Sequence, residues 1–369
     1  MTIHPELAQR WFDTGRISTR AFYEMVRDDY PALTWSKTVH TLRETLGMDI
    51  REAKRTDTAI VEPDDITIKR QEKRQTLEDL EIAGRVKWNK ERERIARLGR
   101  WARLLYISDQ HRPYHVPEAI DLALQIAQDF KPDVISGMSD FFDFAPFRRT
   151  AEGNALFSEL WPDGLEDAIK EHGSWMKDVQ SAASKAVHPS ILGNHDNWLW
   201  QFLQSKGGAT ADYTLRNFVT DLADQGLIWM GSELDEIELS PGLMMLHGKY
   251  ATLNVHTSLM NTLRLYGYQA SAVIGHGHRE ETVVHKGKNY NITAAMSGCT
   301  CSLKAHYSRH RTTWTHGIVI GFYDPNGFGV QLYNVSFQKI AGMLVAHYGD
   351  KEYRENLTSS GYGALALAA

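Results

Sequence analysis

Five short apolar runs in this chain each end in a cluster of residues that can ligate a metal. This repeated pattern constrains the fold more than any other feature. Leu104 to Ile107 precedes Asp109-Gln110-His111, and Val134 to Ile135 precedes Ser139-Asp140-Phe141-Phe142-Asp143. Ile191 to Leu192 precedes Gly193-Asn194-His195-Asp196, Leu243 to Leu246 precedes His247-Gly248, and Ala272 to Ile274 precedes Gly275-His276-Gly277-His278. Apolar runs of this length, broken by glycine and polar residues, read as buried strands. In open α/β sheets, binding residues gather in the crevice beyond the carboxyl ends of the strands. Five ends converging there would bring carboxylates, imidazoles and one amide oxygen together, a set that suits Mn²⁺, Fe or Zn²⁺ and needs no thiolate. Residues i and i+2 of extended chain point the same way, which pairs Asp109 with His111 and His276 with His278. Gly193 and Gly275 are expected to permit tight turns after their strands, and Gly277 to leave room between the two histidines.

The rest of the pattern places these strands in a larger frame. From 101 to 340 strands alternate with helices such as Pro117 to Asp129 and Ala168 to Ala186, and strands dominate after 282. Residues 1–60 read as a module of short helices, compatible with a helix-turn-helix, with an extension packed on the rest of the chain, or with contacts between copies. Residues 61–100 read as a charged linker and helix. Its apolar positions (Leu77, Leu80, Ile82, Val86, Trp88, Ile95, Leu98) are few, so a solvated face is expected. Residues 341–369 read as a tail, either a terminal helix or poorly ordered.

Charge narrows the partners. The whole chain of 369 residues carries −5, but Lys69 to Arg103 carries +6, leaving −11 elsewhere. Clustered cations are what a nucleic-acid backbone requires. Only two cysteines occur, Cys299 and Cys301. At that spacing they read as thiols rather than a disulfide, consistent with a reducing cytoplasm. No signal peptide and no membrane span is expected.

The ordered clusters resemble the calcineurin-like metallophosphoesterase family, whose pattern is D-x-H, G-D-x-x-D, G-N-H-[DE], a lone H, and G-H-x-H. The resemblance covers about residues 103 to 300, and it extends in the motifs alone to the Mre11/SbcD-like nuclease branch. It implies a four-layer αββα sandwich carrying an N-terminal helical extension. It also implies two divalent ions, Mn²⁺ first with Fe or Zn²⁺ as alternatives. Asp109, His111 and His278 would hold the first ion, Asn194, His247 and His276 the second, and Asp140 would bridge them. His195 would face the substrate as general acid, oriented by Asp143, and Asp196 would support the loop. The chemistry implied is in-line attack on phosphorus by a metal-bridging hydroxide. The chain departs from the pattern at Ser139, which replaces the usual glycine and fits if its φ is negative.

The substrate is less constrained. The basic segment, the helical start and the run His306-Tyr307-Ser308-Arg309-His310-Arg311 with Trp314 favour DNA, read by cations and stacking aromatics. Arg148, Arg149, Arg279 and His310 are the candidate substrate contacts. The alternatives are a phosphomonoesterase or small-nucleotide phosphodiesterase and, in another class, a nucleic-acid-binding protein with an idle metal site.

Overall fold

The computed structural model describes residues 76–148, 161–231, 236–248, 254–286, 291–303 and 313–357. The chain divides into two compact units, 1–74 and 75–369, and every described residue belongs to the second. The expected helical module of residues 1–60 therefore lies outside the described residues, as do Arg149 and His310.

Two sheets form the centre. The first has six strands and the second five. In the first, β1 (Ala102–Tyr106) runs parallel to β2 (Val134–Ser136), pairing Leu104 with Val134, and antiparallel to β8 (His316–Tyr323). Next to β8 come β9 (Val330–Ile340), β10 (Met343–Tyr348) and β11 (Lys351–Asn356), all antiparallel. In the second, β4 (Leu243–Leu246), β5 (Ser271–Ile274) and β7 (Asn291–Met296) are parallel. The edges are β3 (Glu236–Ser240) and β6 (Glu281–Lys286), each antiparallel to its neighbour.

Strand alternation decides the layers. Side chains two apart share a face, so Leu104, Tyr106, Val319 and Tyr323 of the first sheet meet Ile237, Met245, Val273 and Ala295 of the second in one buried cluster. Leu105, Ile318 and Ile320 face the other way, onto Ala119, Ala123 and Ile126 of α2 (Pro117–Phe130) and Val179 of α3 (Leu165–Ala182). Ala272, Ile274 and Ala294 face outward onto Val255, Leu259 and Leu263 of α6 (Val255–Leu265). Helices, sheet, sheet and helix thus stack in four layers, the αββα arrangement that the resemblance implied.

Several expectations change. Ile191 and Leu192 form no ladder strand. The segment reaching Gly193 is held by isolated bridges, Val187 to Val134 and Pro189 to Ile228, and by the Ile191 amide donating to Met138 O at 3.1 Å. The sheet continues to Asn356, through residues assigned above to a tail. α4 (Asn194–Lys206) and α5 (Gly208–Asp224) were not marked out by the sequence pattern. The charged helix exists as α1 (Leu77–Ala96), begun by a Thr76–Asp79 capping box. It is not wholly solvated: Leu80, Gly84, Trp88 and Ile95 lie on one buried face. Three of its arginines are paired, Arg85 with Glu81, Arg92 with Glu238 and Arg94 with Glu91, and Arg100 beyond its end pairs with Asp133.

Candidate metal centre

The polar clusters meet beyond the carboxyl ends of the parallel pairs β1–β2 of the first sheet and β4–β5 of the second. β1 and β2 deliver Asp109, His111 and Asp140, and β4 and β5 deliver His247, His276 and His278. Asn194 opens α4 between them. The nitrogen and oxygen atoms converge tightly. His278 Nε2 lies 3.0 Å from Asp109 Oδ1 and 3.1 Å from His111 Nε2. His247 Nε2 lies 3.0 Å from Asn194 Oδ1, 3.1 Å from His276 Nδ1 and 3.2 Å from Asp140 Oδ2. Asp109, His111, Asp140 and His278 form one group able to hold a metal ion, and Asp140, His247 and His276 form a second. Asp140 is common to both.

The backbone reaches this arrangement by a route the strand argument did not foresee. Asp109 (φ 55°), His111 (48°), Asp140 (54°), His276 (70°) and His278 (51°) all adopt left-handed backbone. Such a conformation costs a non-glycine residue about 1–3 kcal/mol and persists where the surroundings enforce it. Asp109 and His111 lie past the end of β1 in left-handed backbone on either side of Gln110, whose amide donates to Gly137 O at 3.0 Å, and both side chains reach the centre. Strand pleating is not the cause. The glycines act by size. Gly193 has φ −77°, and a Cβ there would lie 1.9 Å from Asp140 Oδ1. At Gly277 the space is filled by Met296, whose Sδ would be 2.1 Å from an added Cβ.

Around the centre, hydrogen bonds fix the donors. The Asp109 carboxylate accepts from the His276 amide at 2.9 Å and from Ser108 Oγ at 2.6 Å. The His195 amide, at the start of α4, donates to Asp140 Oδ1 at 2.7 Å. Asp196 accepts from the Phe142 and Gly193 amides at 2.8 and 2.9 Å, tying α4 to the Asp140 loop. This is the loop-supporting position expected for it. Burial, then the neighbouring Asp140 charge, pushes Asp196 up to about 7. His278 Nδ1 faces Cys301 Sγ at 3.9 Å, and both cysteines are free and buried.

His195 stands beside the ligand set. Its Nδ1 is 3.0 Å from Asp143 Oδ1. Its ring meets His111 edge-on at 4.3 Å and Trp198 at 4.0 Å. Burial disfavours its charged form, but the Asp140 charge and the Asp143 hydrogen bond outweigh that and raise its pKa above the ordinary value. Arg148 is exposed, and its guanidinium lies 5.5 Å from the Trp198 ring, on the His195 side of the centre. Arg279 is exposed next to His278 in the chain. Sequence reasoning did not single out Trp198, Tyr106 or Ser108. Their only signal was an aromatic or hydroxyl residue at helical or strand spacing from a cluster.

No family model matches the chain, and no curated protein matches it. Solved structures do overlay it. Vacuolar protein sorting 29 from Cryptosporidium parvum shares 12% identity with a TM-score of 0.38, over 70% of this chain and 100% of that one. A predicted phosphoesterase from Streptococcus pneumoniae TIGR4 shares 11% with a TM-score of 0.27, over 69% and 98%. Vps29 from Entamoeba histolytica, complexed with Zn²⁺, shares 14% with a TM-score of 0.34, over 69% and 99%. At TM-scores this low the overlays decide nothing about chemistry.

Proposed function

We propose that this protein is a metal-dependent phosphoesterase. The observation that carries this reading is the convergence of Asp109, His111 and His278 with Asn194, His247 and His276 around a shared Asp140, with the His195–Asp143 pair alongside. Buried carboxylates and imidazole nitrogens turned toward one another at about 3 Å are the donor set of a divalent cation site. Two ions held there would lower the pKa of a water and neutralise phosphoryl oxygens. Asp109, His111 and His278 would hold one ion, Asn194, His247 and His276 the other, and Asp140 both.

The remaining work falls to side chains of the chain itself. With Nδ1 bonded to Asp143, His195 has Nε2 left to present to the substrate, and the raised pKa favours its protonated form. The Nε2 proton passes to the departing ester oxygen. Arg148, beside Trp198, supplies a cation on the leaving-group side.

Within this reading the substrate is a phosphodiester, DNA first, with Mn²⁺ as the working ion and a reducing compartment as the setting. Arg148 on Trp198 supports this, together with the cationic-aromatic sequence around 306–316. The basic segment 69–103 gives less support, since most of its described arginines are engaged in ion pairs. No described helix is long and apolar enough to cross a membrane.

The test is hydrolysis of bis-p-nitrophenyl phosphate and p-nitrophenyl phosphate with added Mn²⁺, followed by single- and double-stranded DNA. The wild type should cleave the diester, and His195→Ala should lower kcat about 10²- to 10⁴-fold, the usual scale of general acid catalysis. Activity on neither ester overturns the enzyme reading. Diester cleavage without DNA cleavage overturns the DNA reading alone.

A further inference from the structure

A metal-bound histidine offers a lone pair from one nitrogen and carries a proton on the other, and the partner of that proton sets the tautomer and the ring orientation. For His247 the ring is already determined by contact. Nε2 points at Asn194 Oδ1, His276 Nδ1 and Asp140 Oδ2. Nδ1 points the opposite way, to Ser139 Oγ at 2.8 Å. Ser139 Oγ is 3.0 Å from Tyr106 Oη, and Tyr106 Oη donates to Leu246 O at 3.0 Å. Ser139, Tyr106 and His247 are each at most 1% exposed, so no solvent competes for these bonds.

One assignment of protons satisfies every member of the chain. His247 Nδ1–H donates to Ser139 Oγ, the Ser139 hydroxyl donates to Tyr106 Oη, and the Tyr106 hydroxyl donates to Leu246 O. The relay ends on the residue just before His247, so it closes a loop through β4 and grips the ring against its own strand. Burial and the nearby Asp109 and Asp140 charges push the Tyr106 phenol well above its ordinary range, which keeps it a donor. Reversing the relay would turn the Tyr106 proton from Leu246 O to Ser139 Oγ and move the His247 proton to Nε2, the nitrogen that faces Asn194 Oδ1, His276 Nδ1 and Asp140 Oδ2.

We infer that Ser139 and Tyr106 are positioning residues: their hydroxyls fix His247 with the proton on Nδ1 and the Nε2 lone pair facing the second ion. A glycine at 139 could not do this. Ser139 is thus a gain rather than a tolerated departure, and it takes a backbone φ outside the left-handed region. The inference rests on the metal-site reading above, but it concerns how the second ion is held rather than whether phosphoesters are cleaved.

The experiment loads chelator-stripped protein with Mn²⁺ by equilibrium dialysis and measures bound ions per chain, for the wild type, Ser139→Ala and Tyr106→Phe. In parallel, nitrogen-detected NMR of the imidazoles reads the His247 tautomer in protein loaded with Zn²⁺. Loss of an outer hydrogen-bond partner lowers metal affinity about 10–100-fold. Ser139→Ala should therefore weaken one of two ions on that scale and leave the other within about threefold. Tyr106→Phe should weaken the same ion by less, and wild-type His247 should carry its proton on Nδ1. Variants that load two ions on the wild-type curve, or a proton on Nε2 in the loaded wild type, overturn the inference. If Ser139→Ala fails to fold, Tyr106→Phe and the wild-type spectrum decide. Wild-type protein that binds no ion at all would overturn the metal-site reading instead.

Discussion

His195 holds its proton at the right atom only while Asp143 occupies Nδ1. The carboxylate is fully buried and accepts from Ala145 N at 3.0 Å as well as facing His195 at 3.0 Å, so its position is fixed from two sides. Burial raises its pKa, but the His195 hydrogen bond and charge outweigh this and hold it below the ordinary carboxylate value. Asp143→Asn keeps the shape and removes the charge, so imidazolium at His195 keeps the Asp140 charge but loses the support of Asp143. We predict a kcat about 10²-fold lower with KM little changed, since the lost interaction belongs to the proton transfer. The alkaline limb of the pH–rate profile should move to lower pH, because a less stabilised imidazolium gives up its proton sooner. An unchanged profile in the variant would show that Asp143 does not act through His195. At this scale the sequence was most informative. Asp109, Asp140, Asn194 and the histidines are legible because carboxylate, amide and imidazole donors recur after successive apolar runs, and the fold brings their atoms together. Tyr106 and Ser108 were not, because a tyrosine or serine at a strand end is usually an ordinary satisfied polar residue, and only the fold shows what its hydroxyl meets.

Elements were legible where hydrophobic periodicity was strong and obscure where tertiary contacts supplied the reason. α2 lies within a residue of its expected range because Ile120, Ala123, Ala127 and their neighbours mark one face. β10 and β11 were missed although their signals are present. Leu344, Val345 and Ala346 lie between Gly342 (φ 80°) and Gly349 (φ 63°), which make the turns on either side. The alanine-rich end of the chain drew the reading toward a helix or a tail instead. Ile191 and Leu192 fooled the pattern in the other direction, since a buried apolar pair needs no ladder. α1 is the instructive case. Its charges are conspicuous, yet its role is set by four positions, and Trp88 at 3% exposure packs between the sheets with Ile95 and Tyr323. Truncating a buried tryptophan costs about 3–5 kcal/mol. Trp88→Ala should lower stability on that scale in urea unfolding, whereas Val86→Ala, on the exposed face, should change it by less than about 1 kcal/mol. Equal effects at the two positions would mean that α1 does not dock.

For the whole molecule the same burial that builds the core creates a dependence on acid. His172 on α3 is fully buried against Gln225, and burial pushes its pKa down to about 4. In the unfolded chain the ordinary value is about 6.5. Between those values the unfolded state binds a proton that the folded state refuses, so stability is complete above pH 6.5 and falls as the pH drops toward 4. The full difference corresponds to roughly 3 kcal/mol, a large share of the 5–15 kcal/mol typical of a folded domain. Asp196 works in the opposite direction over an overlapping range. Its folded pKa of about 7 lies above the ordinary 3.8, so it stabilises at low pH and that contribution fades as the pH rises through 7. The unfolding curve of the wild type therefore sums two opposed titrations and cannot assign either. Subtraction can. His172→Gln removes one titration and leaves Asp196 in place, so the difference between variant and wild-type stability should grow in the variant's favour by about 3 kcal/mol from pH 7 to pH 4. The measurement is urea unfolding at each pH with the same metal loading throughout. Parallel curves for the two proteins would show that His172 accepts its proton as readily in the fold as outside it, and that the packing around α3 opens to water.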